Sequence, residues 1–157
     1  MVSTDDKLEG ERVGMLLGRF PHRLDPKRRV TIPAQLRNRM GNPRYVYVMP
    51  DLNNFKCLNI LPPEELESRL ARLRQAALSD RRVAEFVTRV GAISESLDLD
   101  VQGRIRIRDR LLNYVGIEKD VVMIGALNRI QLWATSQAPA EEDALRTFVE
   151  AAREIEF

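Results

Sequence analysis

The chain has one cysteine, one histidine and one tryptophan in 157 residues, and these scarcities close off whole classes of function. A lone Cys57 cannot form an internal disulfide and fits a reducing cytoplasm. It falls in an apolar alternating run, so a buried small side chain is expected there rather than a nucleophile. One histidine and one cysteine cannot build a structural zinc site without several carboxylates. His22 stands three residues before Asp25 with no serine or cysteine paired to it, and no glycine-rich phosphate loop follows. Catalysis, a cofactor, a bound metal and a small-molecule substrate are therefore not expected. Apolar runs are short as well. None approaches the roughly 18 residues that a membrane span requires, and the N-terminus lacks the apolar core of an export signal.

Neither sign of charge dominates, with 25 basic and 23 acidic residues and a formal net charge of +2. The distribution is another matter. Eight basic side chains (Arg19, Arg23, Lys27, Arg28, Arg29, Arg37, Arg39, Arg44) lie between Arg19 and Arg44 against Asp25 alone. Between Arg104 and Arg110 four arginines face only Asp109. The acids gather at the N-terminus, in residues 64–67 and in the tail from Glu141. Phosphate binding depends on the local field, so this segregation carries more information than the total.

The two basic stretches are also related to each other. Leu24-Asp25-Pro26-Lys27-Arg28-Arg29-Val30-Thr31-Ile32 recurs 75 residues later as Leu99-Asp100-Val101-Gln102-Gly103-Arg104-Ile105-Arg106-Ile107. The register continues without a gap through Leu36/Leu111, Asn38/Asn113 and Gly41/Gly116, and resumes at Leu52-Asn53/Leu127-Asn128. A gapless repeat means one supersecondary unit built twice, with whatever surface it carries presented about an approximate two-fold. Halves of about 70 residues are marginal alone, so the copies are expected to share one core.

Within each copy the pattern predicts a strand at Val30–Ile32 or Ile105–Ile107, aliphatics inward and polar residues outward. A short helix follows, with Pro33 at its first position in copy one and Gly41 or Gly116 as its stop. Tyr45–Met49 and Phe55–Ile60 read as a hairpin around Asp51–Asn54, as do Val121–Ile124 and Ile130–Trp133. Outside the repeat, Pro62-Pro63-Glu64-Glu65 opens a helix striped by Leu66, Leu70, Leu73 and Ala77. Arg82–Val90 predicts another, ended by Gly91. A last helix, capped near Ser136 with Pro139 in its first turn, carries Leu145, Phe148, Val149 and Ala152 on one face, expected as core or subunit contact.

The turn itself is the candidate site. An aspartate can accept from backbone N–H groups two or three residues on, and can pair with the arginine four residues later. Asp25, Asp100 and Gly103 are thus expected to organise the loops, with Gly103 supplying a positive φ. These paired Asp-x-x-x-Arg turns, with Met15-Leu16-Leu17-Gly18-Arg19-Phe20, Val30-Thr31-Ile32-Pro33 and the helix begun by Pro63-Glu64-Glu65, resemble the MraZ family over residues 15 to about 140. These are bacterial transcriptional regulators built from two AbrB-like swapped-hairpin units in tandem.

The resemblance implies a mainly β (α+β) fold whose two units share an interleaved β-barrel, with peripheral helices. Residues 1–14, which precede the usual family start at Met15, read as a flexible N-terminal extension or as a start assigned too early; the resemblance implies a first unit over 15–61, linking helices over 62–91, a second unit over 92–134 and a C-terminal helix over 135–157. It further implies ring-like homo-oligomers in the cytoplasm, associated with the nucleoid. The partner would be double-stranded promoter DNA carrying short repeats upstream of the division and cell-wall gene cluster, with repression that includes the chain's own operon. DNA contacts would fall to Arg29 and Arg104, with Lys27, Arg28, Gln102, Arg106 and Arg37 nearby. The sequence departs from the family pattern twice: Arg28 stands where a glycine is usual, and Arg108 where copy one has Pro33. A nonspecific nucleoid-associated protein and a ring-forming protein scaffold are the competing readings.

Overall fold

A computed structural model describes residues 13–53 and 55–157. The expected extension therefore lies outside the described residues as far as residue 12, as does Asn54 of the first hairpin turn. Among the described residues, eight strands and five α-helices make an α+β arrangement. In chain order they are β1 (Leu16–Arg23), β2 (Arg29–Thr31), α1 (Ala34–Arg39), β3 (Tyr45–Pro50), β4 (Leu58–Leu61), α2 (Pro63–Leu73), α3 (Arg81–Ile93), β5 (Glu95–Asp98), β6 (Arg104–Arg106), α4 (Asp109–Tyr114), β7 (Asp120–Leu127), β8 (Ile130–Ala134) and α5 (Glu141–Glu154).

Strands from the two copies interleave. The larger sheet is antiparallel with order β1-β7-β8-β4-β3-β5, and β2 pairs with β6 as a separate ribbon. Four of these six ladders join one copy to the other. Val30 and Ile105, repeat equivalents, face each other directly, so the local two-fold passes through that pair. The rest of the register obeys it: Tyr45↔Asp98 is the image of Asp120↔Arg23. The two end strands of the sheet, β1 and β5, each turn through an Asp loop into the ribbon, which thereby links the sheet's two edges.

The shared core explains the interleaving. Val30, Ile32, Leu36, Ile105, Ile107, Leu111 and Leu112 join Val46, Val48, Leu58, Ile60, Val121, Met123, Ile130 and Leu132 in one buried cluster. Neither copy could bury its short ribbon strand by itself, and pairing the two puts Val30 and Ile105 under the sheet. Cys57 is fully buried, as its alternating surroundings predict, and burial pushes its thiol up to about 12.

Some element boundaries differ from the sequence pattern. Pro33 is the N-cap of α1, one residue before the helix, with extended ψ. Strand β4 begins at Leu58, because Asp51 Oδ2 accepts from the N–H groups of Asn53 and Phe55 and holds the chain in a turn. Helix α3 runs through Gly91 to Ile93, for nothing stands near that glycine to demand a break, and Asp80 caps the start by accepting from Arg82 N. Helix α5 starts at Glu141 after Ala140, leaving Ser136 and Pro139 outside it. Its apolar face is not core in this chain: Leu145 is 75% and Phe148 65% exposed. Among the described residues no helix is long and apolar enough to cross a membrane.

Candidate nucleic-acid interface

The two Asp loops have the same hydrogen-bonded frame. In copy one, Asp25 Oδ1 accepts from Arg29 N at 2.7 Å and Oδ2 from Arg29 Nε at 2.7 Å. In copy two, Asp100 Oδ1 accepts from Arg104 N at 2.9 Å and Oδ2 from Arg104 Nε at 2.7 Å. Each aspartate N–H donates to the carbonyl of its arginine, and the residue before the arginine donates back to the aspartate carbonyl. Both loops are docked alike, since Leu24 N donates to Lys119 O and Leu99 N to Arg44 O.

These bonds have an electrostatic consequence. Both carboxyl groups are held below their ordinary pKa, first by the backbone N–H of Arg29 or Arg104, with partial burial opposing and the guanidinium bond assisting. A carboxylate that stays ionised keeps its arginine oriented, which is what a loop presenting a guanidinium group requires.

Register decides where the arginines go. Val30 and Ile105 point inward, so their neighbours Arg29, Thr31, Arg104 and Arg106 share the outer face of the ribbon. Arg29 opposes Arg106, and Thr31 opposes Arg104. Arg104 Nη1 also lies 3.9 Å from Asp25 Oδ2, so the loops meet across the ribbon. The Arg29 and Arg104 side chains are 28% and 25% exposed, held at Nε by their aspartates. Lys27 and Gln102 are exposed at the loop tips.

Arg28 adopts φ +60°, where its repeat equivalent Gly103 has φ +78°. The arginine therefore follows the glycine's backbone, at the cost of a left-handed conformation that side chains disfavour. Its Nε donates to Asp109 Oδ1 at 2.7 Å, across to the start of α4. Arg37, from α1, covers the other loop: its Nε donates to Ile32 O at 2.9 Å, and its guanidinium lies where a Cβ on Gly103 would stand. Arg37 thus braces loop two, with Nε turned inward. Asp109 is the residue that sequence reasoning missed; its one signal was being the single acid in the run Arg104–Arg110.

The arrangement is a compact set of guanidinium groups on and beside a two-stranded ribbon, each held by a carboxylate or a carbonyl. It suits recognition of fixed acceptors such as phosphate oxygens or base edges better than it suits proton or group transfer. Comparisons with known proteins agree with that character. The family described as "MraZ protein, putative antitoxin-like" matches residues 93–138. A protein of Clostridium beijerinckii is 36% identical over 120 residues, covering 76% of this chain and 82% of its own. One of Symbiobacterium thermophilum is 33% identical over 142 residues, covering 90% of this chain and 100% of its own. One of Syntrophomonas wolfei is 34% identical over 143 residues, at 90% and 96%. All three are named "Transcriptional regulator MraZ", a non-enzymatic role. With a doubled Asp-x-x-x-Arg ribbon and matches spanning most of its length, this chain belongs to the MraZ family of transcriptional regulators.

Proposed function

We propose that the chain is a sequence-specific DNA-binding transcriptional regulator that reads short promoter repeats through its two Asp loops. Arg29 and Arg104 contact base edges, with Lys27, Arg28, Gln102 and Arg106 on neighbouring phosphates or bases, and Asp25, Asp100 and Gly103 hold the loops. The observation that carries this reading is the ribbon register, which gathers Arg29, Arg104 and Arg106 on one outward face. The names of the relatives support DNA as the partner. From the family resemblance follow the finer statements: repression, a target upstream of the division and cell-wall gene cluster that includes the chain's own operon, and a ring of identical copies acting in the cytoplasm at the nucleoid.

Two physical effects supply the binding. Cations that displace condensed counterions give an affinity falling with salt, with a slope of about −0.9 per neutralised phosphate. An arginine reaching two guanine acceptors adds about 1–3 kcal/mol of discrimination. Loops repeated within a chain and around an assembly raise the effective concentration of each successive contact.

The test is an electrophoretic shift with DNA from upstream of the chain's own gene against scrambled DNA at fixed salt. Wild type should prefer the upstream DNA, and Arg29→Ala and Arg104→Ala should each abolish the preference while circular dichroism stays normal. Full preference in both variants would refute the assigned roles. A wild type without preference would favour a nonspecific nucleoid protein.

A further inference from the structure

The two loops match in backbone but not in what surrounds them. Among the repeat-related pairs that break the two-fold are Arg28 against Gly103, Ala34 against Asp109, and Arg37 against Leu112. In copy two, Arg37 caps a bare glycine and its Nε is committed to Ile32 O. In copy one the left-handed position itself carries a guanidinium group, and Asp109 Oδ1 holds it at 2.7 Å. The same oxygen lies 3.5 Å from Arg106 Nη1. Arg106 Nη1 also donates to Ile107 O. One carboxylate thus gathers two cations, one from each copy, at the edge of the ribbon's outer face. Left free, two like charges would move apart and each would sample many rotamers.

We infer that Asp109 is a positioning residue of the DNA-facing surface, holding Arg28 and Arg106, one cation from each copy, in one geometry, while the different charges of the two loops make them contribute unequally to binding. Loop one, with Lys27, Arg28 and Arg29, supplies the larger share of phosphate neutralisation. Loop two, with Gln102 and Gly103 at the matching places, supplies less. The inference rests on the DNA-binding reading above and deepens it. Asp109 is 56% exposed, so the ion pair alone has little effect on stability. Its role lies in fixing direction. An acid at a DNA-facing surface otherwise only repels phosphate, which makes the two possible roles separable by experiment.

The experiment measures affinity for upstream and scrambled DNA over a salt series, for wild type, Arg28→Gly, Asp109→Asn and Asp109→Glu, with thermal melts as a fold control. Arg28→Gly copies the second loop and should flatten the salt slope by about 0.9. Asp109→Asn should lower the ratio of upstream to scrambled affinity by about 2- to 5-fold, and Asp109→Glu should restore it. If Asp109→Asn merely tightens binding to every DNA, the ratio stays constant and the inference is overturned. An unchanged slope in Arg28→Gly, or no recovery with Asp109→Glu, overturns it equally. A wild type that prefers neither DNA sinks the sequence-specific reading on which the inference rests, and one that binds neither sinks DNA binding itself; both results are distinct from all of these.

Discussion

Set beside each other, the two copies keep the same loop backbone while several of the polar residues packed around it differ. Asp25 and Asp100 each bind the N–H and Nε of the arginine four residues on, at distances between 2.7 and 2.9 Å. Around that constant frame the chemistry diverges in coupled pairs. Copy one has Phe20 and Pro33, where copy two has Glu95 and Arg108. The Glu95 side chain is 4% exposed, and its Oε1 accepts from Arg108 N at 3.3 Å with Arg108 Nε 3.6 Å away. A proline has no N–H to give, so the buried acid requires a different residue at 108. Phe20 makes no such demand, and Pro33 is tolerated. The lesson is that local turn geometry persists through duplication because it is made within five residues, whereas contacts between copies are free to change provided both partners change together.

The strongest way to break the comparison is through the core. Ile32→Ala and Ile107→Ala remove repeat-equivalent side chains that are both fully buried. Each should cost about 2–5 kcal/mol in urea denaturation, and the two losses should be similar. Widely unequal losses would mean that the copies do not share the core as equals.

A smaller effect sharpens the account of the divergent pair. Arg108→Pro suits the local backbone, with φ −65° and ψ 147°, yet removes the N–H and the guanidinium from Glu95. It should destabilise by about 1–3 kcal/mol. In a Glu95→Phe background the same change should cost much less, a coupling of at least about 1 kcal/mol in a double-mutant cycle. Additive losses would show that the two departures are unrelated.

The smallest effect is an insensitivity. Because folding lowers the pKa of Asp25 and Asp100 from the ordinary 3.8, their stabilising bonds are complete above that value. They are lost only as pH falls through the lower folded values. The amide resonances of Arg29 and Arg104 should therefore hold steady from neutral pH down to the unfolded carboxylate range and move together below it. A midpoint above 3.8 at either loop would contradict the observed hydrogen bonding, and a midpoint at only one would break the equivalence of the frames.

Much of the site was legible from residues alone, because the Asp-to-Arg turn closes over a four-residue separation and involves no distant partner. Gly103 announced a positive φ for the same reason, and the strand alternation at Val30 and Ile105 announced which face was buried. The identity of α5's apolar face as exposed was not legible, since Leu145, Phe148 and Val149 have the spacing of a core stripe whether or not anything covers them. Nor was the continuation of α3 through Gly91, a weak helix former beyond which the helix still runs to Ile93.

By itself, then, the sequence determined the doubled unit, its aspartate-fixed turns and the aliphatic pattern that buries them, all of which depend on neighbours within a few positions. Only the tertiary structure decided that β2 pairs with β6, that Arg29, Arg104 and Arg106 consequently share a face, and that Asp109 reaches Arg28 from 81 residues away. Such long-range choices arise because three-residue strands cannot bury their aliphatics alone, and the partner that covers them is set by the whole core at once.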